Sequence, residues 1–74
     1  MPKLPRVDAR RLVAALKRAG FEVRRQTGSH IILRQPETKQ IAVVPRHGGT
    51  FGPELVASIL KQAGLSPDDL RGLL

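Results

Sequence analysis

The stretch FEVRRQTGSHIILR, residues 21–34, contains two strand-like segments separated by a short polar break. Residues 21–26 alternate between apolar and polar side chains, which is typical of a half-buried strand. Residues 29–34 contain three consecutive apolar side chains, so a second strand there is apolar on both faces. With Thr27 and Gly28 as the turn, the sequence predicts a β-hairpin in the middle of the chain.

The length of the hairpin turn determines which side chain lies opposite His30. A two-residue loop of Thr27 and Gly28 places Arg25 opposite His30. A loop one residue longer places Arg24 there instead and changes the face of the sheet that His30 shares. Both registers leave an arginine within reach of His30.

The segments on either side of the hairpin predict further helices and strands. A first helix is expected over residues 8–19, because Asp8 is a suitable N-cap and Gly20 suits the left-handed position after the end. Residues 40–44 predict a third strand, which Pro45 ends. Residues 46–52, with three glycines, are expected to form a loop.

The C-terminal part predicts two helices. Residues 53–63 form one, with proline in its first turn and glycine after its end. Ser66 and the residues after it restart a short helix, whose three leucines cover either this core or a partner. The order is α-β-β-β-α plus a terminal helix. We therefore expect one α+β domain spanning residues 1–74, with a three-stranded antiparallel sheet and both main helices on one face.

The net charge of +7 lies almost wholly in the first half of the chain. Residues 1–34 hold nine Lys or Arg against two carboxylates, whereas residues 35–74 hold four of each sign. The first helix carries a basic face opposite its apolar face, made of Arg10, Arg11, Lys17 and Arg18. This asymmetry indicates a polyanionic partner, nucleic acid first, with a merely solvated basic surface as the alternative.

The sequence contains no cysteine, which excludes disulfides and thiolate metal sites. The N-terminal residues show no apolar segment typical of a signal peptide, and no apolar run is long enough to span a membrane. We therefore expect a cytoplasmic protein that has no contact with a membrane.

His30 is one of two histidines and has three competing interpretations. It is a buried core histidine, a metal ligand, or a general acid or base. A metal site needs further ligands, and no histidine, cysteine or carboxylate stands nearby at a ligand spacing. Catalysis needs an exposed ring near a substrate, and the neighbouring arginines are suited to hold a phosphodiester.

Four motifs together carry a resemblance to a known family. They are GF at residues 20–21, RQTGSH at 25–30, VPRH at 44–47 and ILKQAGLS at 59–66. In this order and spacing the chain resembles the HicA family of toxin ribonucleases. The resemblance implies a fold like the double-stranded-RNA-binding domain and an mRNA-cleaving toxin of a toxin–antitoxin pair. It also implies direct inhibition by a HicB-type antitoxin and a catalytic role for His30.

RNA cleavage needs neither a metal nor a cofactor when the ribose 2′-hydroxyl is the nucleophile. We expect His30 to transfer a proton, as acid or as base. His47 either supplies the second such group or contacts RNA from a loop. Candidates for phosphate binding are Arg24, Arg25 and Arg34. Gly28 and Ser29 are expected to shape the turn, and Ser29 is also a possible donor to phosphate.

Two other functions compete with a ribonuclease. The same fold can hold RNA without cleaving it, or the basic face can meet an acidic protein in an adaptor. An antitoxin is expected to use the apolar surface of the third strand and the terminal helix, with acidic or bulky groups over His30.

Overall fold

A computed structural model describes residues 6–46 and 48–74. Its helices and strands, in chain order, are β1 (Val7–Asp8), α1 (Ala9–Arg18), β2 (Glu22–Gln26), β3 (His30–Arg34), β4 (Ile41–Pro45), β5 (Thr50–Phe51), α2 (Pro53–Ala63) and α3 (Pro67–Leu73). The three longer strands form an antiparallel sheet in the order β2-β3-β4, and β1 pairs with β5 separately. The predicted α+β fold with a three-stranded antiparallel sheet is confirmed.

The hydrophobic core lies between one face of the sheet and the two main helices. Leu33 of β3 pairs with Ala42 of β4, and both are fully buried, as is Val44. The buried side chains of the helices are Leu12, Ala15 and Leu16 in α1 and Val56, Ile59, Leu60 and Ala63 in α2. Because side chains alternate along a strand, His30 and Ile32 lie on the opposite, open face of the sheet.

The helix ends follow the chemistry expected from the sequence. The Asp8 carboxylate accepts the backbone N–H of Arg11 at 2.8 Å, which caps α1. Ser66 and Asp69 form a capping box at the start of α3. Gly64 ends α2 with a φ of 74°, in the left-handed region that favours glycine.

The short terminal helix packs on this domain's own core. Leu70 is fully buried, whereas Leu74 is 37% exposed. The Arg18 guanidinium donates to the backbone carbonyl of Leu73 at 2.6 Å, which joins the end of α3 to the end of α1. One of the two alternatives left open by the sequence, burial against the domain's own core, therefore holds for Leu70.

The expectation that residues 46–52 form only a loop is wrong at Thr50 and Phe51. These residues pair with Asp8 and Val7 in a two-stranded antiparallel ribbon. Phe51 and Val7 are both 1% exposed, so the ribbon adds apolar volume to the core. Two-residue strands are too short to show a period of two, which is why the pattern did not indicate them.

Neither predicted hairpin register is correct. Gln26 pairs with Ile31, and the Thr27 N–H donates to the His30 carbonyl at 2.8 Å, so Thr27 faces His30. The turn residues are Gly28 and Ser29. A β-bulge at Arg24 takes up the remaining residue, since Val23 pairs with Leu33 but Arg25 pairs with Ile32.

Within residues 6–46 and 48–74, no helix is both long and apolar enough to cross a bilayer.

Candidate active site

The Thr27 side chain organises the hairpin turn. Its hydroxyl oxygen accepts the backbone N–H of His30 at 2.9 Å and that of Ser29 at 3.3 Å. A threonine hydroxyl commonly closes a turn in this way by taking over a backbone acceptor role. The backbone of His30 is therefore fixed from both sides, by the hydroxyl of Thr27 and by the ladder with β4.

The imidazole of His30 is exposed at the first position of β3. The Ser29 hydroxyl lies 3.0 Å from its Nδ1. Depending on the tautomer, the hydroxyl donates to Nδ1 or the Nδ1–H donates to the hydroxyl. In both cases the contact orients the ring and leaves Nε2 without a hydrogen bond to any described residue. An oriented, exposed imidazole can exchange a proton with a bound substrate.

Arg46 joins the end of β4 to the hairpin turn. Its backbone N–H donates to the Ser29 carbonyl at 2.7 Å, and its guanidinium donates to the Thr27 carbonyl at 3.1 Å. The preceding residue, Pro45, pairs with His30. These contacts therefore hold the Arg46 guanidinium against the hairpin turn that carries His30. Sequence reasoning missed both Thr27 and Arg46 as site residues; the position of Arg46 directly after a strand paired with β3 was the available signal.

The three arginines predicted to bind phosphate do not converge on His30. Arg25 pairs with Ile32, which places it on the open face that His30 shares. Arg24 and Arg34 instead line a cleft of about 240 Å³ together with Lys39. Arg34 is four residues along β3 from His30, about 13 Å at the usual strand rise. The structure therefore divides these cations into two locations.

The remaining predicted site residues, Gly28 and His47, belong to loops, and the structure describes the first of them. Gly28 lies in the turn, but its φ is not positive and a Cβ there would meet nothing within 4 Å. His47 lies outside the described residues.

A groove of about 660 Å³ runs between α1 and the hairpin turn. Its lining contains the apolar side chains Val13, Ala14 and Ile31, called its floor below, and the cations Arg10, Lys17 and Arg46, called its sides. His30 does not line it, since Ile31 points towards the helices and His30 away from them. The groove and the histidine therefore lie on either side of the same turn.

The cations around the turn are not neutralised by neighbouring carboxylates. Within the described residues, the salt bridge found is that between Arg71 and Asp68, in α3. The same part of the chain contains no cluster of three side chains suited to hold a metal ion. The site therefore presents positive charge beside one imidazole ring, and this arrangement attracts a polyanion.

The fold and the site define a small basic α+β domain that presents a histidine on a hairpin turn. Residues 9–65 match the family described as HicA toxin of bacterial toxin-antitoxin, and the chain belongs to that family. The resemblance read from the four motifs is thus confirmed, and the chain is a toxin-family member of a toxin–antitoxin system. Members of such systems act together with a partner antitoxin. No curated protein sequence matches the chain.

Proposed function

We propose that the chain is an endoribonuclease that cleaves mRNA, with His30 as the catalytic residue. The observation that carries this proposal is the exposed His30 ring, oriented by Ser29 at 3.0 Å on a turn that Thr27 and Arg46 hold in place. Membership of the HicA toxin family supports it independently.

The cleavage needs two proton transfers. A base takes the proton of the ribose 2′-hydroxyl, and that oxygen attacks the adjacent phosphorus. The bond from phosphorus to the 5′-oxygen breaks, and an acid gives the departing oxygen a proton. The products are a 2′,3′-cyclic phosphate and a 5′-hydroxyl. Nε2 of His30 makes one of these transfers. Because the nucleophile belongs to the substrate, the reaction requires no metal-bound water.

Two arginines near the turn are proposed to stabilise the negative charge that develops on the phosphoryl oxygens. Arg46 is anchored at the turn through its own backbone and side chain, and Arg25 lies on the same face as His30. A cation that is already fixed before the reaction needs little reorganisation when charge develops, which makes its stabilisation effective.

The antitoxin is proposed to be a HicB-type protein that covers the histidine. Ile41 on β4 is 45% exposed, lies on the same face as His30 and is paired with Arg34. Acidic groups of the partner would meet Arg25 and Arg34 on that face. Leu74, directly after α3, is 37% exposed and offers a second, separate apolar contact. Ile41→Asp and Leu74→Asp are expected to weaken co-purification with the antitoxin. An undiminished complex with both variants would contradict this surface.

Cleavage of a defined RNA in EDTA by the wild type and by His30→Ala tests the proposed activity. We expect the wild type alone to cleave, leaving cyclic-phosphate ends, while both proteins bind the RNA. Equal cleavage by the two proteins contradicts the role of His30. Binding without cleavage by the wild type indicates instead a non-catalytic RNA-binding module.

A further inference from the structure

The groove between α1 and the hairpin turn takes no part in the proton transfer assigned to His30. Its sides carry three cations, Arg10, Lys17 and Arg46, and none of the described residues that line it is a carboxylate. A concave surface that carries only positive charges attracts anions and raises their local concentration. The groove therefore fits a ligand with negative charge at its edge.

The apolar floor of the groove fits a second, uncharged group on the same ligand. Val13, Ala14 and Ile31 offer aliphatic surface, on which the flat face of a base can lie out of water. The volume of about 660 Å³ falls within the range of pockets that hold small ligands, roughly 300–1,000 Å³. A phosphate at the edge and a base on the floor are the two parts of a nucleotide.

We propose that this groove binds a nucleotide of single-stranded RNA, next to the phosphodiester at His30. The assignment of the neighbouring link as the scissile one rests on the proposed function. Arg10 and Lys17 contact the backbone phosphates, and the aliphatic floor receives the base. Arg46 is shared, since it lines the groove and also donates to the turn that carries His30.

The hairpin turn connects the two locations. Gly28 lines the groove, and His30 follows two residues later on the other face, at most about 7 Å away by the length of the chain. Gly28 has no side chain, and the space where its Cβ would lie is open, since nothing stands within 4 Å of that position. An RNA strand that leaves the groove thus crosses the turn and reaches the histidine.

A single strand fits this arrangement better than a duplex. In an RNA duplex the bases are stacked and paired, so none can be laid on the aliphatic floor. Both phenylalanines are buried, at 3% and 1% exposure, so neither of them competes for the base by stacking. Binding of this kind depends on phosphate contacts and apolar contact, and is expected to discriminate weakly among bases.

The test measures RNA binding with cleavage removed. In a His30→Ala background, a fluorescein-labelled single-stranded RNA of roughly ten nucleotides, a length typical of small single-strand-binding sites, is titrated across salt concentrations. Arg10→Gln with Lys17→Gln is expected to lower affinity at least about tenfold. The salt slope should fall by about 1.4, since each phosphate contact on a single strand contributes about 0.7.

Arg11→Gln with Lys61→Gln removes the same charge from outside the groove and serves as the matched control. We expect it to change affinity less than about threefold, since these side chains contribute only long-range attraction that salt screens. A neutral variant, Ala14→Leu, narrows the floor at an exposed helix position and should also weaken binding, with the salt slope unchanged.

Equal losses of RNA affinity in the groove pair and in the control pair, or no loss in either, would overturn the groove assignment. So would tighter binding of a blunt RNA duplex, or a preference for an acidic peptide such as oligoglutamate. Whether the wild type cleaves RNA distinguishes the groove proposal from the proposed ribonuclease activity. If the groove variants bind poorly as expected but the wild type does not cleave RNA, the groove stands and the enzyme does not. If instead the wild type cleaves RNA and the groove variants bind and cleave it normally, the enzyme stands and the groove assignment does not.

Discussion

The Ser29 hydroxyl lies 3.0 Å from Nδ1 of His30, so two neighbouring residues on one turn form a hydroxyl–imidazole pair. Since Nδ1 is occupied, Nε2 is the ring nitrogen that faces the substrate in the proposed reaction. Ser29 is therefore a positioning residue, whereas sequence reasoning considered it only for turn formation and phosphate binding.

Ser29→Ala is expected to lower kcat roughly two- to tenfold and leave KM nearly unchanged. The loss of one hydrogen bond is worth about 0.5–1.5 kcal/mol, and 1.4 kcal/mol corresponds to a tenfold change in rate. Single-turnover cleavage of a defined RNA measures the effect. Ser29→Thr retains the hydroxyl and should recover most of the rate. A rise in KM with unchanged kcat would instead indicate that Ser29 binds phosphate.

Thr27→Val should reduce the free energy of unfolding by about 1 kcal/mol, because the turn loses the oxygen that accepts two backbone N–H groups. Valine has nearly the shape of threonine, so the change removes the hydroxyl alone. Urea denaturation measures it, with Thr27→Ser as the control that keeps the hydroxyl. If valine and serine are equally stable, the hydroxyl does not hold the turn.

Gly64→Ala and Gly72→Ala are expected to change stability in opposite directions. Gly64 has a φ of 74°, where an L-residue costs roughly 1–2 kcal/mol, and the new Cβ would also displace the Gln40 side chain. Gly72 lies in α3, where a Cβ would meet nothing within 4 Å, so alanine stabilises by about 0.5–1 kcal/mol. Thermal unfolding of both variants checks the signs. Destabilisation by both would contradict the helical conformation at Gly72.

Phe51→Ala should destabilise the protein by about 3–5 kcal/mol, because it removes a side chain only 1% exposed and leaves a cavity. Ile41→Ala, at 45% exposure, serves as the control and should cost far less. Chemical denaturation of both variants, in the absence of any partner, is the measurement. A small loss for Phe51→Ala would mean that the ribbon of β1 and β5 is not part of the core.

The helices were predictable because their signals are local. Asp8, Ser66 and Gly64 act on groups within one helical turn, and the apolar face expected for α1 is the face that the structure buries. The three-stranded sheet followed from alternation in the first strand and from apolar runs at residues 31–33 and 41–44 in the other two. The two-residue strands β1 and β5 were not predictable, because their pairing joins residues 44 positions apart in sequence (Val7 with Phe51).

The composition of the site was likewise predictable, but its arrangement was not. A histidine after a Gly-Ser pair, among arginines, indicated the residue types that the site contains. The sequence did not indicate that Arg24 and Arg34 lie together away from His30, because a bulge at Arg24 shifts the register. Nor did it identify Arg46, whose two hydrogen bonds reach back across 17 and 19 positions, to Ser29 and Thr27.

By itself, the sequence determined the charge, the helices, the number of longer strands and the position of a histidine at the start of a strand beside a turn. These properties depend on side-chain chemistry and on spacings within a few residues. Tertiary structure alone decided which cation stands beside His30 and which face of the sheet the ring occupies. It also decided that a basic groove opens on the other side of the turn. These relationships depend on strand register and on contacts between distant segments, where a shift of one residue exchanges the two faces of a strand.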